Sequence, residues 1–315
     1  MSKLNQHLSN ISSIFKNEKD RYQAHKKAAP ILKEMVADRE ILFDIFRKNL
    51  SDDAFINKVR HYPTLAFDVY QDKNVSISGN CFMPLPDRSG ELSFQSIHHH
   101  GKLLLSTVAA FGPGYESIVF KKGFKIDKDA QTAEMGIEKS YRFEKGSLEF
   151  IDSDQPHIVF FPEDASITYA MWAYTKQSSI IKELKNNPLI KKFKGQIRKV
   201  LKVMGLLKTV GINAVENFDF YPENGQIKVL KNRLGFKSGT NENFLTNVFY
   251  VLQKAGFNDV IFLGELKKKH PDNTHLHQLI DKLTNGEKIS DEFYDFHMNV
   301  KYVNISKSDI IKAVH

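Results

Sequence analysis

Between residues 63 and 176 the chain breaks into short β-rich runs, and this is what most limits its fold. The runs are "TLAFDVYQ", "NVSISGNCFM", "LSFQSIHHH", "KLLLSTVAAF", "YESIVFKKGFKI", "IEKSYRFEK", "SLEFID", "HIVFFP" and "SITYAMWAYT". Gly, Pro, Asp and Ser punctuate them at short intervals, too closely for helices to fit between. Many short strands at such spacing predict an antiparallel sandwich or barrel.

The flanks read differently. Residues 1–62 are helical, with Ile31, Leu32, Met35, Val36, Ile41, Leu42, Ile45 and Phe46 at helix-like spacing. Pro30 marks an early turn or a helix start, and Ser51 or Asp52 caps a short helix. Residues 177–315 are mostly helical again. "SGTNENFLTNVFYVLQKAGF" places Phe244, Val248, Val251 and Leu252 on one side and stops at Gly256. "PDNTHLHQLIDKL" and "SDEFYDFHMNV" read as two further helices. The expected class is α+β: a central β-barrel or sandwich between N-terminal and C-terminal helical regions.

Hydrophobic content is ordinary, and 24 Phe and 11 Tyr can fill a sizeable core. This excludes a disordered chain. The single cysteine, Cys81, permits no intramolecular disulfide and is expected to be a small buried apolar group. The N-terminus lacks an apolar signal core, and no apolar stretch is long enough to span a bilayer. The expected location is the cytoplasm. The net charge of +8 is mostly lysine, concentrated in residues 176–208 (Lys182, Lys185, Lys191, Lys192, Lys194, Lys199, Lys202). That segment reads as a solvated helix face. It lacks the aromatic interleaving of single-strand binders, so nucleic acid is not an expected partner.

Chemistry concentrates in the histidines. In an extended segment His98 and His100 share a face and His99 points away, where it is expected to be solvated. Two imidazoles rarely hold a metal, so a third must come from another strand. His157, in "GSLEFIDSDQPHIVFFP", is the best candidate. Neutral imidazoles suit iron, zinc, copper or nickel. "HLHQL" at 275–279 lies on a predicted helix, where residues two apart diverge, so it is not a metal pair.

These two segments resemble the paired motifs of the cupin superfamily. His98, His100 and Gly112 match the frame of the first motif, and Gly146 and His157 that of the second. The match is partial. The glutamate position of the first motif falls at Leu105 or Leu104. The internal proline and glycine positions of the second are Asp152 and Asp154, and its final asparagine is Phe161.

The resemblance implies a cupin-like β-barrel. The missing glutamate makes the site similar to three-histidine iron oxygenases, such as thiol dioxygenases and some ring-cleaving dioxygenases. It implies Fe(II), or another divalent transition metal, acting on a small organic substrate with O₂. The cysteine–tyrosine crosslink of mammalian-type thiol dioxygenases does not transfer, because leucine stands at its position.

Further candidates surround this core. "FGPGYE" shapes a pocket mouth with Tyr115 or Glu116 reaching inward, or is only a hairpin turn; Glu116 is the less favoured as a ligand. Arg142 clamps a substrate carboxylate, or is simply exposed. Glu149 orients a ligand imidazole, or makes a cross-strand ion pair. Tyr169, Trp172 and Tyr174 line the core or the pocket. The helical flanks offer a lid or a homodimer face. Two alternatives stay open: a ligand-sensing regulator, and a zinc-bearing or metal-free cupin working as isomerase, lyase or binding module.

Overall fold

A computed structural model describes residues 2–59, 64–84, 97–175, 217–229, 240–289 and 305–314. The predicted helix at 290–300 and the basic segment 176–208 lie outside these residues.

Four helices open the chain: α1 (Lys3–Asn17), α2 (Arg21–Ala37), α3 (Arg39–Leu50) and α4 (Asp53–Ile56). Ser2, Asp20, Asp38 and Asp52 cap them, each side chain accepting from backbone N–H groups of the first turn. Pro30 lies inside α2 and does not start it. Proline there removes one backbone donor. Packing holds the helix across the break, because Ala24, His25, Ala28, Leu32 and Met35 are all buried along it.

The strands form two antiparallel sheets. The first has the order β1 (Thr64–Gln71), β2 (Ser76–Phe82), β11 (Ser166–Tyr174), β4 (Leu103–Phe111), β9 (Leu148–Ile151). The second has the order β6 (Lys125–Asp127), β7 (Thr132–Glu134), β13 (Gln226–Val229), β12 (Asn217–Tyr221), β3 (Ile97–His98), β10 (His157–Val159), β5 (Tyr115–Phe120), β8 (Ile137–Phe143). The sheet pattern therefore continues past residue 176: β12 and β13 come from the segment read as helical.

"FGPG" is not a hairpin turn. β4 belongs to the first sheet and β5 to the second, so the loop carries the chain between sheets. Gly112 and Gly114 both adopt positive φ, 87° and 79°, which redirects the backbone sharply.

Each sheet has two covered faces. On the first, Phe67, Val69, Ile77, Cys81, Val108, Tyr169 and Met171 pack against α1–α3 and α5 (Asn241–Ala255), forming the main core. Cys81 is fully buried, which pushes its thiol well above the ordinary range. α5 runs from its Thr240 cap to left-handed Gly256, and α6 (Val260–Lys269) and α7 (Thr274–Thr284) complete this layer. Alternate residues of the same strands (Leu105, Thr107, Thr168, Ala170, Trp172) face the other way, into a cavity between the sheets. The outer face of the second sheet buries Ile118, Phe120, Ile158, Phe160, Phe218 and Phe220 with Ile310 of α8 (Lys307–Ala313). No described helix is long and apolar enough to cross a membrane.

Where α2 meets β4, two polar groups are buried together. His25 Nδ1 lies 2.8 Å from Ser106 Oγ, with the ring edge-on to Phe15 and Phe150. Burial, aided by the Arg21 charge, lowers the ring from 6.5 to about 4. The folded protein therefore resists a proton that the unfolded chain accepts. The contribution is fully present above pH 6.5, falls as pH drops through 6.5 towards 4, and is lost below. At pH 5 this ring alone removes about 2 kcal/mol. His25→Asn keeps a hydrogen-bonding group without titrating. Urea unfolding at pH 8 and pH 5 is expected to show that the variant lacks this loss. Equal pH dependence of the two proteins would contradict the assignment.

Candidate metal centre and its cavity

Register brings the three histidines together. His157 on β10 is the direct antiparallel partner of His98 on β3 and of Val119 on β5. Directly opposed residues of antiparallel strands share a face, with Cβ atoms roughly 5 Å apart. His98 and His157 therefore point together into the cavity. β3 is only two residues long, and His100 follows it in a turn, where its carbonyl accepts from Leu103 N at 3.3 Å. The turn swings the His100 ring back over the other two. Ring centroids lie 4.8 Å (His98–His100), 4.5 Å (His98–His157) and 4.9 Å (His100–His157) apart.

One ligand nitrogen from each ring lies within 4.8 Å of the others, the geometry of a candidate metal site. His100 Nε2 and His157 Nε2 face each other at 3.2 Å. Donors held about 2.1 Å from a single ion stand close to that distance apart. His157 Nδ1 lies 3.2 Å from the Gln155 carbonyl. A proton on Nδ1 leaves the Nε2 lone pair aimed at the cavity. Burial is the first cause that holds His100 and His157 well below the ordinary imidazole range, and the neighbouring histidines add to it. Three imidazole nitrogens converging in this way form a donor set that fits a divalent first-row ion.

The two ligand-bearing loops are tied to each other. Asp154 N donates to Gly101 O at 2.6 Å, and Lys102 Nζ meets Asp154 Oδ2 at 2.5 Å. Asp154 has φ 55°, a left-handed conformation that aspartate tolerates. Gln155 bonds Glu138 at 2.8 Å and Asp152 N at 2.9 Å, and Asp152 pairs with Lys122 at 2.7 Å.

The cavity has a volume of about 310 Å³, within the range of small-molecule sites. Leu105, Ile151 and Val159 supply apolar walls, and Trp172 packs edge-on to His100 at 4.6 Å. Of Leu104 and Leu105, the two positions at which the first motif's acid is expected, Leu105 is an apolar part of the wall. Asn80, Thr107, Tyr115, Ser117, Tyr141 and Thr168 supply polar groups. Tyr115 is buried, which pushes its phenol up to about 12, so it is a neutral hydrogen-bond donor at pH 7.

Other sequence candidates fall elsewhere. Arg142 is absent from the cavity lining. It lies opposite Glu116 in the β5–β8 register and points outward, bonding Pro113 O at 3.2 Å and Glu163 at 3.1 Å. Glu116 shares that outer face and pairs with Lys307. Tyr115, one residue earlier, necessarily takes the inner face. Glu149 does not meet a histidine: it pairs with Lys139 at 2.5 Å, bridging the sheets.

His99 is buried, not solvated. Its Nδ1 accepts from Gly101 N at 3.0 Å and its ring lies against Phe124. The outer face it points to is covered by packing around Phe124 and Phe218. Tyr169 belongs to the main core, while Trp172 lines the cavity. His275 and His277 sit on α7 and bond apart, to Thr246 and to the Lys267 and His270 carbonyls.

Thr107 and Thr168 were not foreseen as site residues. The signal for Thr107 is the polar pair Ser106–Thr107 inside the apolar run "LLLSTVAAF". Adjacent strand residues face opposite ways, so one of the two must enter the cavity.

No family model and no curated protein matches the chain. Solved structures similar to part of this chain include a crystal structure of DMSP lyases (11% identity, 34% of this chain and 46% of that one, TM-score 0.24). Another is a cupin-superfamily sugar phosphate isomerase from Silicibacter pomeroyi (6% identity, 35% and 59%, TM-score 0.24). A third is an RmlC-like cupin with a double-stranded β-helix fold from Methanocaldococcus jannaschii (5% identity, 35% and 79%, TM-score 0.23). The chain thus spans about half the length of the first and 59% of the second.

Proposed function

We propose that the cavity is the active site of a mononuclear metal enzyme. In this proposal His98, His100 and His157 hold a divalent transition metal, iron(II) first among them. The substrate is a small organic molecule, oxidised with O₂. The convergence of three neutral imidazole nitrogens inside a buried, ligand-sized cavity carries the proposal. When bound, iron would supply Lewis acidity and electron transfer to O₂.

The chain's own residues bind, orient and exclude water. Three uncharged ligands leave the ion's positive charge unbalanced, which favours an anionic group of the substrate. Leu105, Val119, Ile151 and Ala170 pack together beside the ligand row and keep that end dry. A dry site strengthens every electrostatic contact within it. Tyr115, buried and neutral, donates a hydrogen bond to a substrate oxygen. With Arg142 on the outer surface, the ion is the cation proposed to receive a substrate carboxylate.

Elemental analysis of protein purified without chelator or nickel resin tests the proposal. About one iron per chain, with O₂ uptake on adding iron(II) and substrate candidates, is the expected result. Stoichiometric zinc without O₂ uptake would move the assignment to a non-oxidative lyase or isomerase. Absence of any bound first-row metal would remove it.

A further inference from the structure

One cluster of polar groups in the cavity is not used by the metal centre. Thr107, Tyr115 and Thr168, with Asn80 in register beside Thr168, line the cavity away from the histidines. Their placement follows from the strands. On β4 and β11, Leu105 pairs with Trp172, which packs against His100. Thr107 lies two residues further along β4, and Thr168 four residues from Trp172 along β11. On β5, Tyr115 lies four residues from Val119, the partner of His157. Two and four residues of strand are roughly 7 and 13 Å. The hydroxyls therefore gather towards the far end of the cavity.

The bonding there is incomplete. Thr168 Oγ1 donates to the Tyr115 oxygen at 3.4 Å, which leaves the phenolic proton to donate elsewhere. Thr107 also stands beside the phenol, but its oxygen meets no hydrogen-bond geometry, although the residue is only 7% exposed. A buried hydroxyl left unpaired is destabilising. A ligand oxygen that both Thr107 and Tyr115 can reach would remove that cost.

We propose that Thr107, Tyr115 and Thr168, with Asn80, form a second subsite for a neutral hydroxyl or carbonyl oxygen of the substrate. The substrate class is then a short molecule with an anionic head at the histidines and an uncharged oxygen roughly 7–13 Å further on. This rests on the metal-centre proposal for the head and on the hydroxyl cluster alone for the tail.

The test uses two probes, octanoate and 7-oxooctanoate, which differ in a distal carbonyl about 8 Å from the head and so within the range set by the strands. Each is titrated calorimetrically into cobalt(II)-loaded and metal-free protein, and the cobalt absorption band reports head-group binding. The native protein is expected to bind the oxo acid about tenfold more tightly than octanoate. In Thr107→Val and in Tyr115→Phe that preference should fall to within about twofold. Circular dichroism and cobalt uptake that match the native protein show that the variants are folded.

Equal affinity of native protein for both acids would overturn the subsite. So would a preference that survives in both variants, or no binding of either acid to either form. Failure to take up cobalt would instead remove the metal centre. The preference measured on metal-free protein would then decide the subsite by itself.

Discussion

His157→Ala is expected to lower affinity for cobalt(II) or iron(II) by roughly a thousandfold, with the fold retained by circular dichroism. His157 comes from the second ligand segment and stands against both other rings. It is paired in register with His98 and faces His100 across 3.2 Å, so its loss leaves two donors that no longer enclose an ion. His98→Ala and His100→Ala should act in the same direction. His98 is fixed by strand pairing on both sides, to β10 and β12. His100 lies outside the strand ladder and is placed by its turn, by Trp172 and by the other two rings. Glu149→Gln and Arg142→Gln are the controls, since neither side chain reaches the histidines, and both should retain full metal. Equal metal retention by all three alanine variants would end the assignment of the centre.

The sequence carried the site more clearly than its surroundings, for a physical reason. Two imidazoles in one short extended segment and a third ahead of another strand are ligand types at ligand spacing. Any barrel that pairs those strands in register brings them together. Arg142 and Glu149 depended instead on which face of a strand points inward. That parity is set by register, and a shift of one residue reverses it. The β5–β8 pairing places Arg142 opposite Glu116, so once Tyr115 enters the cavity both charges must leave it.

His99 was misjudged for a related reason. Its alternation away from the ligands is correct, but the face beyond is not solvent. Covering it takes Phe124, from the β-rich run "YESIVFKKGFKI", and Phe218, from a segment read as helical. Phe218 belongs to β12, whose hairpin with β13 had a local signal. Phe218 and Phe220 alternate before an Asn224–Gly225 turn, and Ile227 and Val229 alternate after it. An Asn-Gly pair between alternating apolar runs is a strong hairpin sign, overlooked in reading the whole stretch from 177 on as mostly helical. Pro30 erred the other way: a local breaker was overridden by the buried face of α2.

The two glycines that align with the cupin motifs should respond very differently to alanine. Gly112 has φ 87°, and an added Cβ would lie 2.1 Å from the Ala165 carbonyl oxygen and 2.8 Å from Ser166 Cα. Backbone cannot rotate away as a side chain can, so the two segments must separate. With the left-handed strain added, Gly112→Ala is expected to cost roughly 4 kcal/mol or more and to yield little folded protein. Gly146 has φ 82°, but nothing lies within 4 Å of its added Cβ. Only the conformational strain remains there, about 1 kcal/mol. Thermal melting of the two variants measures the difference.

The contrast bears on the cavity as well as on stability. Gly112 begins the passage from the first sheet to the second. Next to it, Gly114 N donates to Ser166 Oγ at 3.1 Å, which ties the passage to the start of β11. Tyr115 follows directly, and β5 then sets the row on which His157 pairs. Separating Gly112 from Ala165 would displace the polar end of the cavity and the metal end together. Two alanine variants of similar stability would mean that this close backbone approach does not hold the sheets in place.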